Sequence, residues 1–401
     1  MKALHIVYQS LPNISGSSIR TRDIVMSQKE IGLDPIVVSG PFQNGKEQTS
    51  KCDLINNVKH YRTYNNKPGQ LVIENKTPLR VRFMKSFSIF RFYRETKKIV
   101  EIEKPDILHA HAMFFCAIVA ILLGKKFNLP VCYEIRSLWE EREKTDATTI
   151  IKRLQPKFLR FVETLCMKHV DKVIVINENL KKEISSRGIK NIDIIPNAVN
   201  LDLINLAEEP KKPYHKVSFG YVGSVSPIEG LDLLAKAWKE IEIKGYKNKF
   251  HVYGDGTFFK DLESLVRELN LNNFHLNGKI SSDLVSDAYK TIDVIVNPRL
   301  KSKISDTVTP LKPLEAMGYN KMVIASNVGG MKELIRHNET GLLFEADSQK
   351  ELEKILLSVI STGTNKTIIN NAQSYVSKEK SWKTNATNYS NIYKNQLSKL
   401  I

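Results

Sequence analysis

At 401 residues the chain exceeds what one ordinary hydrophobic core organises, so two domains are expected. A hydrophobic content of 42% and a charged content of 26% fit a water-soluble globular protein, and nothing resembles an 18-residue apolar span, which excludes a bundle of membrane-crossing helices. The net charge of +17 is concentrated: residues 51–100 hold 12 Lys/Arg against 3 Asp/Glu, a local +9, which points either to an anionic partner (nucleic acid, a membrane surface or a phosphorylated substrate) or to a solvated basic face.

In chain order, MKALHIVYQSLP turns polar too early for a secretory signal, and its ALHIVYQ reads as a strand. QSLPNISGSSIRTRDIV follows, where Gly16 with Ser17 and Ser18 allows a tight turn into a helix whose first N–H groups face a ligand. Plain βα-turn chemistry accounts for the same residues. DPIVVSG is the next strand. RVRFMKSFSIFRFYRETKK (Arg80–Lys98) is basic and aromatic, either an amphipathic helix of the first domain or a surface for anionic headgroups. The strand DILHAH ends on His109 and His111, which share a face. Since no Cys or His lies at a zinc-site spacing from them, they point to a sugar hydroxyl or to a structural role. PVCYEIR runs into SLWEEREK and leaves Glu134 and Arg136 on one face at the strand's end, as an internal ion pair or as ligand-facing groups. DKVIVIN and NIDIIPN complete a first series. Four scattered cysteines, Cys52, Cys116, Cys132 and Cys166, with no CxxC, read as reduced core thiols of a cytoplasmic protein.

EEPKKP (Glu208–Pro213) interrupts as a linker, and a second series follows: KVSFGYVG, KFHVYGDG, NFHLNG, DVIVNP, KMVIASN and TGLLFEA. Strands separated by helical patterns mean βαβ units and parallel sheets. The expected architecture is α/β, with two Rossmann-like domains facing each other across a cleft. The first spans 1–207 and the second 214–379, and a terminal helix at 380–401 packs back onto the first. Ligands of such sheets bind beyond the carboxyl ends of the strands. Gly223 and Gly254 stand there, with Ser224 beside Gly223, where a glycine lets a planar or charged ligand approach the backbone. Phe259 occupies the third place of the would-be GxGxxG at Gly254 and Gly256, which disfavours a dehydrogenase-type dinucleotide site, and no P-loop or Asp-x-Asp metal motif occurs.

TVTPLKPLEAM (Thr307–Met317) carries two prolines that do not fit deep inside a helix, so the stretch reads as a loop delivering a helix N-terminus. Arg299, Lys301, Lys303 and Lys312 precede or open that helix, cations suited to phosphates. Glu315 in its first turn either stabilises the helix end or accepts two hydrogen bonds from a ribose diol. Together they describe a nucleoside-diphosphate site, with Thr309, Pro310 and Leu311 in its loop.

PLEAMGYNKMVIASNVGGMKELI followed by NETGLLFEADS resembles the C-terminal signature of retaining GT-B glycosyltransferases of family 4, and IIPNAVN resembles that family's link segment with Ala198 in place of glycine. YEIRSLWE and VTPLKPLEAM are similar to a subgroup of capsule, O-antigen and exopolysaccharide clusters. The resemblance implies a cytoplasmic transferase at the inner face of the membrane. It moves a sugar, hexosyl or N-acetylhexosaminyl, from a nucleotide-sugar donor, UDP-linked, to a lipid-linked or glycan acceptor. Retention, no metal, no other cofactor and no nucleic acid are implied with it. It also implies catalytic roles for His111, Arg136 and Glu134, and donor contacts from Gly16, Gly223, Ser224, Gly254, Arg299, Thr309 to Lys312, and Glu315. Three departures stand out: Thr307 replaces the first of two glutamates spaced eight apart, Ser224 and Glu229 replace the arginine and lysine that neutralise the donor diphosphate, and Arg136 replaces a histidine. Lys312, Arg299 and Arg136 are the cations expected to compensate. A sugar-nucleotide epimerase of the same fold and a non-catalytic nucleotide-sugar-binding scaffold are the alternatives.

Overall fold

Apolar runs of four to six residues, too short for helices and bounded by turn formers, become strands of two separate sheets. The computed structural model describes residues 1–13, 15–41, 51–63, 79–142, 150–201, 204, 217–281 and 284–399, with the side chains of 79–87, 142 and 150–154 outside that description. The EEPKKP linker therefore lies outside the described residues, as do the first side chains of the Arg80–Lys98 stretch. The chain divides into two units: Met1–Pro196 together with Trp382–Ile401, and Asn197–Ser381.

The first unit is built on β1 (Lys2–Val7), β2 (Asp34–Ser39), β3 (Cys52–Ile55), β4 (Val58–Arg62), β5 (Ile107–His111), β6 (Val131–Ile135), β7 (Lys172–Val175) and β8 (Ile192–Ile194). They form one sheet in the order β3-β4-β2-β1-β5-β6-β7-β8. Every pairing is parallel except β3 with β4. That pair is a hairpin the sequence reading did not foresee, closed by Asn56 and Asn57 with φ of 50° and 59°, the left-handed pair of a type I′ turn. Its edge strand carries Cys52, which is exposed and so corrects the expectation of four core thiols; Cys116, Cys132 and Cys166 are buried. The helices are α1 (Gly16–Glu30), α2 (Leu79–Glu103), α3 (Phe114–Phe127), α4 (Trp139–Arg142), α5 (Ile150–Lys168) and α6 (Glu178–Ser185).

The second unit has a six-stranded sheet, β11-β10-β9-β12-β13-β14, parallel throughout. Its strands are β9 (Phe219–Val222), β10 (Phe250–Tyr253), β11 (Phe274–Gly278), β12 (Val294–Asn297), β13 (Met322–Ser326) and β14 (Leu342–Phe344). Around it lie α7 (Leu231–Ile243), α8 (Phe259–Glu268), α9 (Val285–Lys290), α10 (Lys303–Thr307), α11 (Lys312–Gly318), α12 (Gly329–Lys332), α13 (Gln349–Thr362) and α14 (Lys366–Glu379). Trp238 anchors its core, edge-on to Phe219 and Phe250 at centroid distances of 5.4 and 5.2 Å. A buried aromatic or aliphatic side chain of this size contributes about 1.5–3 kcal/mol.

The break between units falls earlier than the expected 207, because Asn197 and Val199 are bonded into the second unit. The Asn197 side chain donates to the Thr309 carbonyl at 2.6 Å and the Val199 N–H to the Lys380 carbonyl at 3.0 Å. The last helix, α15 (Trp382–Leu397), belongs to the first unit. Although polar in composition, it buries Trp382, Ala386, Tyr389 and Tyr393, one face at helical spacing, and packs beside α1.

Strand order reverses between β1 and β5 in the first sheet and between β9 and β12 in the second. Parallel sheets place their ligands at such reversals.

Candidate active site

In the first unit the register sets His5 beside His109 and His111 beside Glu134 across three adjacent strands. All four side chains are buried, and their partners come from α1, α15 and the loop after β6. Arg136 has only donors to offer, so its Nη2 donates to His111 Nδ1 at 2.7 Å and leaves the His111 proton on Nε2. The remaining directions follow one by one. His111 Nε2 donates to His5 Nδ1 (2.8 Å), His5 Nε2 to Gln28 Oε1 (2.9 Å), and Gln28 Nε2 to the Tyr393 hydroxyl (3.1 Å), which donates to His109 Nδ1 (2.6 Å). His109 Nε2 ends the chain 3.7 Å from Glu134 Oε2.

Glu134 is the charged hub of this network. Its Oε1 accepts from Arg20 Nε at 3.0 Å and Arg136 Nε at 2.7 Å, and its Oε2 accepts from the Tyr389 hydroxyl at 2.5 Å. Burial pushes its pKa up, but Arg20, Arg136 and the His111 contact outweigh burial and hold it well below the usual carboxylate range. Burial, with the nearby arginines, drives the imidazoles the other way: His5 and His109 lie well below the ordinary histidine value and His111 is lowered to about 4. All three rings are therefore neutral at pH 7. Arg136 also spans to α1, donating through Nη1 to the Ser17 carbonyl at 2.9 Å and to Thr21 Oγ1 at 2.9 Å. It thereby fixes the turn at Gly16 and Ser17, both exposed, with open space where a Gly16 Cβ would stand.

His5, His109 and His111 could by proximity hold a metal ion, their ligand atoms lying within 4.8 Å of one another. The donor set does not fit one. Arg136 keeps a proton on His111 Nε2, the atom an ion would need, whereas metal-bound histidines pass their other N–H to an acceptor. The circuit makes a direct prediction for α15. Tyr393→Phe strands the buried His109 Nδ1 and one Gln28 N–H, and urea denaturation should show a loss of about 1–3 kcal/mol.

In the second unit a cluster of charges lies where β9 and β12 end. Lys312 opens α11, with Pro313 beside it in the first turn, and its ammonium meets Glu229 Oε2 at 2.9 Å. The ammonium sits 4.7 Å from the centre of the Tyr221 ring and donates to the Tyr221 hydroxyl, which donates to the Ser224 carbonyl at 2.7 Å. Arg299 stands 3.6 Å from Glu229 Oε1 and donates to the Val308 carbonyl at 3.3 Å, while its buried Nε has no hydrogen-bond partner among the described residues. Burial lowers the Lys312 pKa against the pull of Glu229. Glu229 is itself held below the carboxylate range because Lys312 and Arg299 outweigh its burial. Two cations against one carboxylate leave a net positive charge. Asn297, at the end of β12, has both polar atoms of its buried amide without a partner among the described residues.

A Cβ on Gly223 (φ 147°) would stand 2.4 Å from Lys312 Cε, and one on Gly254 (φ 153°) 1.7 Å from the Gly223 carbonyl oxygen, so protein packing by itself requires glycine at both positions. Ser224 is exposed; Thr309 is buried under the Asn197 bond; Pro310, Leu311 and Glu315 are half-buried. Thr307 ends α10, its hydroxyl donating to the Lys303 carbonyl at 2.6 Å. Sequence reasoning did not single out His5, Arg20, Gln28, Tyr221, Asn197 or Asn297. Tyr389 and Tyr393 of the terminal helix have the four-residue spacing that marks an inward face.

Two family models match adjacent stretches of the chain: Glycosyltransferase Family 4 over residues 15–203 and Glycosyl transferases group 1 over residues 204–375. An uncharacterized glycosyltransferase of Methanocaldococcus jannaschii is 25% identical over 92% of this chain and 92% of its own length. The phosphatidylinositol N-acetylglucosaminyltransferase GPI3 subunit of Saccharomyces cerevisiae is 24% identical over 85% of this chain and 71% of its own. Among solved structures, Anabaena HepE in complex with UDP superposes with a TM-score of 0.72 at 16% identity, covering 98% of this chain and 100% of that one. With both family models abutting at residue 203 and two parallel-sheet units matching the GT-B fold, the chain belongs to the group 1 and family 4 glycosyltransferases.

Proposed function

We propose that the protein transfers a sugar, hexosyl or N-acetylhexosaminyl, from a UDP-linked donor to a lipid-linked or glycan acceptor. The transfer retains anomeric configuration and serves cell-surface polysaccharide synthesis at the anionic inner face of the membrane. The observation that carries the donor assignment is the Lys312–Glu229–Arg299 cluster at the strand-order reversal of the second sheet, net positive and beside Glu315. A departing nucleoside diphosphate needs positive charge where its own negative charge develops. Lys312 and Arg299 supply it in place of the cations missing at 224 and 229, and Glu315 accepts from the ribose hydroxyls. The UDP held by HepE and the phosphatidylinositol acted on by the GPI3 relative support the nucleotide and a lipid acceptor. A relative described as a protein of a Klebsiella pneumoniae cps region supports the polysaccharide setting. Among the described residues no helix is long and apolar enough to cross a membrane.

His111, Glu134 and Arg136 then act as positioning residues. His111 and Glu134 spend their polar atoms on neighbours inside the unit, and Arg136 transmits that order to the Gly16–Ser17 turn. The decisive assay follows release of nucleoside diphosphate from a panel of sugar nucleotides with and without acceptor. Acceptor-dependent release is expected; its absence alongside tight binding would make the protein a scaffold, and interconversion of the sugar nucleotide an epimerase. Glu315→Gln keeps the shape but loses charge-assisted bonds, so calorimetric titration should show UDP and uridine weakened by at least about tenfold, the equivalent of 1.4 kcal/mol. Lys312→Met should weaken UDP far more than uridine. Equal affinities across the set would leave Glu315 as a helix-end charge only.

A further inference from the structure

The outer face of α5 carries Phe158, Phe161 and Leu165, spaced three and four residues apart and hence aligned in one stripe. They are 62%, 64% and 44% exposed, although phenylalanine and leucine ordinarily bury. The neighbouring helices also expose apolar groups: α3, packed against α5, shows Leu122, and α2, packed against α3, shows Phe90, 49% and 67% exposed. The exposed charged residues that α5 and α3 themselves carry, among the described residues, are of one sign. Lys157, Arg160 and Lys168 on α5 and Lys125 and Lys126 on α3 are exposed. The acid of α5, Glu163, turns inward and is buried, accepting from the Tyr133 hydroxyl at 2.5 Å and the Phe114 N–H at 3.0 Å. Among the described residues, Arg160 alone of these cations forms an ion pair, 3.5 Å from Glu183.

We infer that this face of α5, with its α3 and α2 flanks, is the surface by which the first unit lies on an anionic lipid bilayer. The three α5 side chains enter the headgroup–acyl boundary and the lysines meet lipid phosphates. The chemistry selects that occupant. A stripe of bulky apolar groups ringed by cations, with no exposed acid on its own helix among the described residues, matches an interface that is apolar below and negative above. A second copy of this chain would bring the same cations against themselves. The inference rests on the reading of a membrane-bound acceptor and locates the contact on α5, beyond the basic Arg80–Lys98 stretch of α2.

The test is sedimentation of the full chain with vesicles of phosphatidylcholine alone or with 30 mol% phosphatidylglycerol (a composition of about one anionic lipid in three), at low and high salt. Variants are Phe158→Ser with Phe161→Ser, and Lys125, Lys126, Lys157 and Lys168→Gln together, each checked for unchanged UDP affinity and thermal melting. Wild type is expected to prefer anionic vesicles. The phenylalanine pair should lose at least about tenfold in partitioning at both salt levels, since lost apolar burial is not screened. The lysine set should lose the preference for anionic lipid, most of all at low salt. Wild type that binds while both variants bind equally well overturns the α5 assignment and leaves the membrane reading intact. Wild type that binds no vesicle overturns both. Unchanged vesicle binding, with a dimer that only the phenylalanine pair dissolves in light scattering, makes a second copy the occupant instead.

Discussion

Lys312→Glu is expected to abolish UDP binding in the micromolar range and to cost about 3–5 kcal/mol of stability, and Glu229→Lys in the same chain should restore most of both. Lys312 reaches its partner with 15% of its side chain exposed and Glu229 with 7%, so water does little to soften a mismatch. In the single variant two carboxylates share the site, with Arg299 at 3.6 Å from Glu229 to offset them. Repulsion then falls where a diphosphate would bind. The reverse single change, Glu229→Lys, crowds three cations and should also destabilise, while leaving phosphate attraction in place. The double variant rebuilds an ion pair of the same total length with its sense reversed, the cation now at 229, where the family pattern carries a lysine. Urea denaturation and calorimetric titration of the four proteins close a double-mutant cycle. A coupling of at least about 2 kcal/mol is expected. Additive losses would mean that the two groups do not sense each other and that the pair is a surface coincidence.

Most strands were legible because parallel strands buried on both faces must be apolar throughout, and runs such as DPIVVSG and KMVIASN admit few other folds. The β3–β4 hairpin was missed for a physical reason: β3 alternates exposed with half-buried residues and β4 buried with less buried ones, over only four and five positions, too few to stand out within a basic stretch. Its Asn-Asn turn was the available signal. The second-unit cluster was partly legible, since Lys312, Glu315 and Arg299 lie within one motif. The purpose of Glu229 was not, because its partner lies on a helix far along the chain. The histidine circuit lay further from view. His109 and Tyr393 are separated by 284 residues and Gln28 and Tyr393 by 365, so no local pattern links them. A histidine at a strand end reads equally as a ligand contact or a structural bond until its neighbours are known. Here Arg136, read as a cation for phosphate, proves to direct the proton positions of the whole chain of bonds.

That circuit makes the first unit acid-labile. His5, His109 and His111 are buried and neutral, and His60, buried at the end of the hairpin, is lowered to about 3 by burial and by Arg62. Each takes up a proton near pH 6.5 once unfolded but resists it while folded, His111 down to about 4. Because the unfolded chain binds more protons, stability is fully present above about pH 6.5 and is lost as pH falls toward the folded values. Two carboxyls oppose them, Asp23 and Glu163, both raised by burial. Burial raises Glu163 to about 7, so between there and the ordinary glutamate value the folded state holds a proton that the unfolded state lacks. Four histidines against Glu163 leave about three protons between pH 6 and 5, a slope of about 4 kcal/mol per pH unit. Against a total stability of about 5–15 kcal/mol, this should remove a large share of the first unit's stability by pH 4.5. Urea midpoints at pH 7.5, 6.5 and 5.5, followed by circular dichroism, should fall steeply over the last interval. His60→Gln removes one titrating ring outside the circuit and should flatten the slope by about 1.4 kcal/mol per pH unit. A midpoint unchanged from pH 6.5 to 5.5 would mean that the imidazoles accept protons in the folded state, which the Arg136 N–H on His111 Nδ1 forbids.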